Sequence, residues 1–367
     1  MSRQITSFVP LFFSSSLFAT GLSFSESSAT NTALASANGA IALDASVLAL
    51  APSSITQLEV KNITAAMTQY SVTSDYEIFG EVSQYEKKHP IPSFFISSPL
   101  SHNNVYAGFG LYSRIAADIS VPEIGPSFLP LFYETRVSPI VLSAVPTLAY
   151  RWGTLSIAAS VEYMHAEYEL EQNRRRFGHD KHSRWKGRDN GWSGALSLTW
   201  KPRSDLSFAV KHQYGSNFGD QQANFDLPSQ TSFYFSWLPT DVWTINASVS
   251  ETMWDGKGIH YSEYNDPFGL LVGERNSKRV AISSSYQWGD WLFMAGYSED
   301  EVIDSLGGKD KRYRLGMSYK FNDNWLVTGA WLQEHYEPKE YNTGATQLVS
   351  VKNDGMAISV GVNYKFR

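Results

Sequence analysis

Arg312-Tyr313-Arg314-Leu315-Gly316-Met317-Ser318-Tyr319-Lys320-Phe321, then Asn322-Asp323-Asn324, then Trp325-Leu326-Val327-Thr328-Gly329-Ala330-Trp331: how this stretch is read decides the fold. Tyr313, Leu315, Met317, Tyr319 and Phe321 fall on one face, and Arg312, Arg314, Gly316, Ser318 and Lys320 on the other. That period of two belongs to a strand, whose successive side chains point to opposite faces. Asn322, Asp323 and Asn324 tolerate the backbone conformations a tight turn requires. The stretch therefore predicts a hairpin with a broad apolar face that ends in aromatics, opposite a face of small, polar and cationic residues.

The pattern recurs. Aromatics flank the turns at Tyr150-Arg151-Trp152-Gly153, Trp200 to Asp205, Trp237 to Trp243 and Trp288-Gly289-Asp290-Trp291, and the chain stops at Tyr364-Lys365-Phe366-Arg367. Short turns ringed by aromatics at one end, with longer polar loops at the other, are the layout of a transmembrane β-barrel. Aromatic rings favour the membrane–water interface. Reading on this basis gives fourteen strands, the first at Gln57 to Tyr70 and the last at Gly355 to Phe366. In the last, Met356, Ile358, Val360, Val362, Tyr364 and Phe366 are expected to face lipid. The predicted fold class is all-β, a transmembrane antiparallel β-barrel.

Composition sets the bounds. The 367 residues suffice for one large barrel. Aromatics make up 14% and charged residues 18%, and the net charge of −6 gives no sign of nucleic-acid binding. Cysteine is absent, which excludes disulfides and thiolate metal sites. Beyond the N-terminus no apolar run is long enough for a membrane helix, which leaves a closed sheet as the spanning solution. The histidines show no metal-ligand spacing, so neither a metal nor a cofactor is expected. A nucleophile oriented by a base is likewise unmarked around His165 or His212, which sets a lipid-modifying barrel enzyme behind the non-enzymatic readings.

Three regions divide the chain. Residues 1–21 read as a signal peptide: Arg3 gives the positive start, Phe8 to Phe18 the apolar segment, and Ala19-Thr20-Gly21 the small residues for cleavage. Residues 22–51, rich in Ser, Ala, Asn and Thr, cannot form a core of their own; they are either a loose tail or a plug inside the barrel. Residues 52–367 supply the barrel.

Residues 38–46, Asn38-Gly39-Ala40-Ile41-Ala42-Leu43-Asp44-Ala45-Ser46, with Ala51-Pro52-Ser53-Ser54-Ile55 after them, resemble the hatch of the FadL-like outer-membrane transporters of long-chain fatty acids and other hydrophobic compounds. Pro52 matches the family's proline, whereas Ala51 and Ser53 replace its asparagine and alanine. Asp226-Leu227-Pro228, Leu238-Pro239 and Trp243 through Met253-Trp254-Asp255, with Pro92 and Tyr106-Ala107-Gly108-Phe109-Gly110, extend the likeness along the chain. The resemblance implies a fourteen-stranded barrel in the bacterial outer membrane, plugged by the hatch. It implies passive transport of fatty acids or related compounds, with Asn38, Gly39, Asp44 and Pro52 in the gating segment. It also implies a side opening at a kink in the third strand, where Gly108 and Gly110 are the candidates. A porin-like channel for small polar solutes is the alternative.

Ligand contacts have two candidate sources. Inward cations Arg279, Arg312 and Arg314 suit one carboxylate on an apolar tail, or instead pair with Glu162, Glu299 or Asp310 to stabilise the lumen. Phe128, Leu129 and Phe132, between Ile124 and Phe132, would be unusual in a bare external loop. The basic stretch Asn173 to Asp189 reads as an external loop, either solvated or facing lipopolysaccharide. Hydrophobic small molecules, outer-membrane lipid and lipopolysaccharide, and the barrel-assembly machinery that recognises a C-terminal strand are the expected partners.

Overall fold

A computed structural model describes residues 24–78, 81–100, 104–116, 119–121, 134–176, 179–219, 223–261, 272–304, 306–342 and 348–366. Fourteen antiparallel strands follow one another round the wall. They are β1 Asn62–Ile78, β2 Glu81–Pro99, β3 Val105–Ala116, β4 Glu134–Trp152, β5 Leu155–Arg176, β6 His179–Arg203 and β7 Leu206–Gln213. The second half comprises β8 Gln230–Thr240, β9 Trp243–Thr252, β10 Ser277–Trp288, β11 Trp291–Glu301, β12 Lys309–Lys320, β13 Trp325–His335 and β14 Leu348–Lys365. β1 pairs with β14 from Asn62↔Lys365 to Glu77↔Ser350, so the barrel is closed.

The usual relation of core and surface is reversed. Along β12, Tyr313, Leu315 and Met317 are exposed while Arg312, Arg314 and Ser318 are buried. β14 repeats this, with Met356, Ile358 and Val360 outside and Ala357 and Ser359 inside. Such an exposed apolar band is stable only in lipid. Exposed Trp152, Trp200, Trp237, Trp288 and Trp325 ring the end with the short turns. Gly153 (φ +60) and Gly289 (φ +57) occupy the left-handed positions two of those turns demand. Trp192 and Tyr163, with ring centroids 5.0 Å apart, mark the opposite interface.

Three boundaries differ from expectation. Residues 173–176 and 179–189 are not a loop: they belong to β5 and β6, which pair as one tall hairpin. Their outward residues meet in register, Glu167↔Arg188, Glu169↔Lys186 and Glu171↔Arg184. Arg188 Nε stands 2.9 Å from Glu167 and Lys186 Nζ 3.6 Å from Glu169, and Arg184 also reaches Glu169. Opposite charges across a ladder support strand pairing, so an apparent basic loop is half of a charge-matched sheet. Secondly, the lumen segment does not stop at Ala51. Pro52–Gln57 form a 3-10 turn with proline in its first turn, where no N–H is needed, and β1 begins at Asn62 rather than Gln57. Thirdly, the register irregularity of β3 is not at Gly108 or Gly110. It falls between Ser113 and Ile115, leaving Arg114 as the extra residue of a bulge against β4.

Three short strands, Ser216–Gly219, Ala223–Leu227 and Gly258–Tyr261, pair into a separate sheet. Phe218, Phe225 and Ile259 from it are buried with Met164, Tyr168 and Trp254 in an apolar cluster at the tall end of the barrel. Phe128, Leu129 and Phe132 lie outside the described residues, as do residues 1–21.

Candidate functional site

Residues 24–58 fill the lumen as a plug. Ala29–Ala33 make one helical turn, capped by Ser28, whose side chain accepts from the Asn31 N–H. Ala45–Ala49 make a 3-10 turn capped by Asp44, which accepts from the Ser46 N–H at 2.8 Å and the Thr30 hydroxyl at 2.6 Å. The Ala- and Ser-rich composition follows from the space available. Ala33 faces Gly316 and Ala35 faces Gly296 so closely that a Cβ on either glycine would lie within 3 Å of the plug.

The wall holds the plug by polar contacts. Ser53 N donates to Ser197 Oγ at 2.8 Å, and the Ser53 and Ser54 hydroxyls both meet Thr199. Ala45 N donates to Thr64 Oγ1 at 3.1 Å. Plug carbonyls with no helical partner accept from wall cations: Ala49 from Lys211 Nζ at 2.8 Å, Ala35 from Arg279 Nη2 at 2.9 Å and Thr56 from Arg151 at 3.2 Å. Asn38 and Pro52 are buried in this packing. Asn38 Nδ2 donates to Asn31 Oδ1 at 3.3 Å, and a Cβ on Gly39 would lie 2.6 Å from the Tyr234 ring. Gly108 and Gly110 serve close approach: Leu48 and Ile55 of the plug lie over Gly108, and Phe95 and Tyr112 flank Gly110.

Between plug and wall lies a cavity of about 110 Å³. Phe24, Leu50, Tyr112 and Ile115 give it apolar walls, and Arg114, Lys211 and Arg279 give it cationic ones. Arg114 crosses the lumen from the β3 bulge to Glu162 at 3.1 Å, and Gln213 Nε2 donates to the same carboxylate at 2.6 Å. Lys211 has its one described hydrogen bond with a carbonyl. Pockets that enclose drug-sized ligands run to roughly 300–1,000 Å³, so the space here admits a long apolar molecule only if the plug yields.

Beside the cavity the wall is split. Among the described residues β2 and β3 pair from Pro99↔Tyr106 to Phe94↔Leu111 and no further. Above that point, among the described residues, β2 keeps only its β1 ladder and β3 only its β4 ladder. Pro90 and Pro92 stand on the freed edge of β2 and lack the N–H a further ladder would use. The register fixes the height of the split: Ser93 pairs with Ala66, and Ala66 with Gly361, next to lipid-facing Val360. The opening therefore starts inside the apolar belt. Phe24 N donates to the carbonyl of Arg114 at 3.0 Å, tying the start of the plug to the bulge beside it.

Arg279, Arg312 and Arg314 converge on the lumen, with partners other than those the sequence offered. Asp300 takes Arg279 at 3.2 Å and Arg312 at 3.0 Å, Glu334 takes Arg312 at 2.5 Å, and Glu26 of the plug takes Arg314 at 2.8 Å. The Tyr70 and Tyr336 hydroxyls also close on Glu334. Burial opposes the charge on Glu26, but Arg314, then Arg312 and Arg279, outweigh it and hold its carboxyl at about 2. Glu299 instead faces outward, beside Lys309 at 3.5 Å. Parity along β11 carries the signal that separates it from Asp300, because Tyr297 and Glu299 share one face and Ser298 and Asp300 the other. No comparable signal marked Glu26, Arg114, Lys211 or Gln213, whose partners lie far away in sequence.

Fold and lumen together define a class: a transmembrane β-barrel of fourteen strands, built for the bacterial outer membrane, with its N-terminal segment folded inside as a plug and its wall split at one joint. Within that class the fold is that of the FadL-type transporters. A Pseudomonas aeruginosa FadL homologue superposes with a TM-score of 0.80 at 12% identity, over 95% of this chain and 100% of its own. The Pseudomonas putida toluene transporter TodX gives 0.72 at 11% identity over 94% and 99%. The Ralstonia pickettii toluene transporter TbuX gives 0.72 at 13% over 94% and 99%. No family model and no curated protein matches the sequence. The likeness is one of fold, retained where sequence has diverged.

Proposed function

We propose that this chain carries hydrophobic small molecules, long-chain fatty acids first among them, across the outer membrane by passive diffusion. The observation that carries this reading is the cavity between plug and wall, bounded on one side by the plug and adjoining on the other a wall that is already split. A molecule entering from the apolar cluster at the tall end meets the cavity, displaces the start of the plug, and has a lateral way out between β2 and β3. Arg114 and Lys211 draw an arriving carboxylate into the cavity while Phe24, Tyr112 and Ile115 take the tail. A porin-like route for polar solutes has less support, because residues 24–58 occupy the lumen. No chemical step is part of the proposal. Toluene, named for two of the structural neighbours, is the second substrate to test.

The same reading assigns the remaining parts. Residues 1–21 are removed on export, the strand that ends at Phe366 addresses the assembly machinery, and the charged outer face of the β5–β6 hairpin stands in the lipopolysaccharide layer. The test is uptake of a labelled long-chain fatty acid by cells with the full chain, with a version lacking Leu22 to Leu50, or with neither, folding of both barrels being confirmed. Uptake raised by the full chain and altered by the deletion supports transport and gating. Uptake equal to that of empty cells removes fatty acids, and the same cells are then given toluene.

A further inference from the structure

The arginine cluster draws two carboxylates from the wall, Asp300 and Glu334, and a third from the plug, Glu26. Within ion-pair distance three guanidiniums face three carboxylates, and the balance depends on a residue that belongs to the movable part. We propose that Glu26 occupies, in the closed barrel, the seat of the transported molecule's own carboxylate, and that an arriving carboxylate takes over Arg314 and frees residues 24–27. This inference rests on the carrier reading above and narrows its substrate class to amphiphiles with one anionic head.

Position supports the exchange. Phe24, Ser25 and Ser27 line the cavity, as does Arg279, while Glu26 lies behind them against Arg314. Residues 24–27 are thus a thin partition between cavity and cluster. Charge supports it too. Glu26 leaving alone would strand one buried positive charge, which is costly, whereas a ligand carboxylate restores the balance and a neutral hydrocarbon does not. Arg314 also has capacity to spare. Its Nη2 donates to Glu26 and its Nη1 to Ser298 Oγ at 2.9 Å, but its buried Nε has no hydrogen-bond partner among the described residues. A less constrained carboxylate can take two of those donors side by side.

The tethers around Glu26 are few. Phe24 N holds the Arg114 carbonyl and its ring meets Tyr70 edge-on, Ser36 Oγ holds the Ser25 carbonyl at 2.8 Å, Asn31 Nδ2 donates to Ser27 Oγ at 2.9 Å, and Thr68 Oγ1 reaches the Glu26 carbonyl at 3.5 Å. The Asp44 cap and the Ser53–Thr199 contacts lie elsewhere in the plug. Exchange at Arg314 therefore loosens the first turn while the remainder stays fixed.

The experiment compares the purified full-length barrel with its Glu26→Gln variant, folding being verified by heat-dependent gel mobility. Equilibrium binding is measured for hexadecanoate and for methyl hexadecanoate. Glu26→Gln keeps the shape and removes the competing charge, so hexadecanoate should bind about tenfold more tightly or better, with the ester unchanged within about twofold. In a Ser25→Cys version of the otherwise cysteine-free chain, hexadecanoate should accelerate maleimide labelling and the ester should not. Equal shifts for both ligands, or no shift for either, overturn the exchange. If both barrels bind the ester or toluene but not hexadecanoate, the exchange falls and the carrier reading stands. If neither barrel binds any of the three, both fall.

Discussion

Replacing Asp300 by asparagine should strongly destabilise the barrel. Asp300 is wholly buried, with Arg279 Nε at 3.2 Å and Arg312 Nη1 at 3.0 Å. At the effective dielectric near 20 that fits protein ion pairs, two charges 4 Å apart attract by about 4 kcal/mol. Much of that attraction offsets the loss of hydration of three groups. The amide keeps the shape but leaves Glu334 and Glu26 to balance three guanidiniums, so one buried positive charge goes uncompensated, at a cost of about 3–5 kcal/mol. The assay is equilibrium urea unfolding in phospholipid vesicles, followed by emission from the 11 tryptophans. Arg279→Met added to Asp300→Asn restores the balance and should recover at least half of the loss. A loss below about 1 kcal/mol, or a double variant as unstable as the sum of the singles, would refute the charge accounting.

Other consequences are open to measurement. Glu26 is held at about 2, below the 4.5 of a free glutamate. Its hold on Arg314 is therefore complete above about pH 4.5 and is lost as pH falls through 2. Pepsin should then cut at Phe24 at pH 2 and not at pH 4, and equal cutting at both would remove the carboxylate from the explanation. Gly108→Val would put a Cβ 2.6 Å from Leu48 Cδ2, and the overpacking should cost about 1–3 kcal/mol, read as earlier proteolysis of the plug with the barrel intact. Arg184→Ala breaks only an exposed cross-strand pair with Glu169, so unfolding should shift by no more than about 1 kcal/mol.

Strands could be read from the sequence because their signal is local. Alternation in Leu155 to Met164 needs only neighbouring residues, and the aromatic turns need only a few more. Tertiary pairing is what hid the rest. Asn173 to Asp189 look like a basic loop until Glu167, Glu169 and Glu171 are laid in register against Arg188, Lys186 and Arg184. The inward arginines could be placed on the correct face, but their partners depend on which strands meet and at what height. Glu26 was the least legible of all, since its partner Arg314 is 288 residues away and no periodicity connects a plug to a wall. The β3 irregularity was expected at its glycines, the residues that bend cheaply. The bulge instead falls at Arg114, where its carbonyl is turned to the Phe24 N–H.

The split between β2 and β3 bears on how the ring carries load. The joint where the chain's two ends meet is zipped from Asn62↔Lys365 up to Glu77↔Ser350. The β2–β3 joint, in unbroken chain, is zipped only from Pro99↔Tyr106 to Phe94↔Leu111. A hoop pulled sideways yields at its shortest weld, so lateral tension in the bilayer concentrates there and not at the termini.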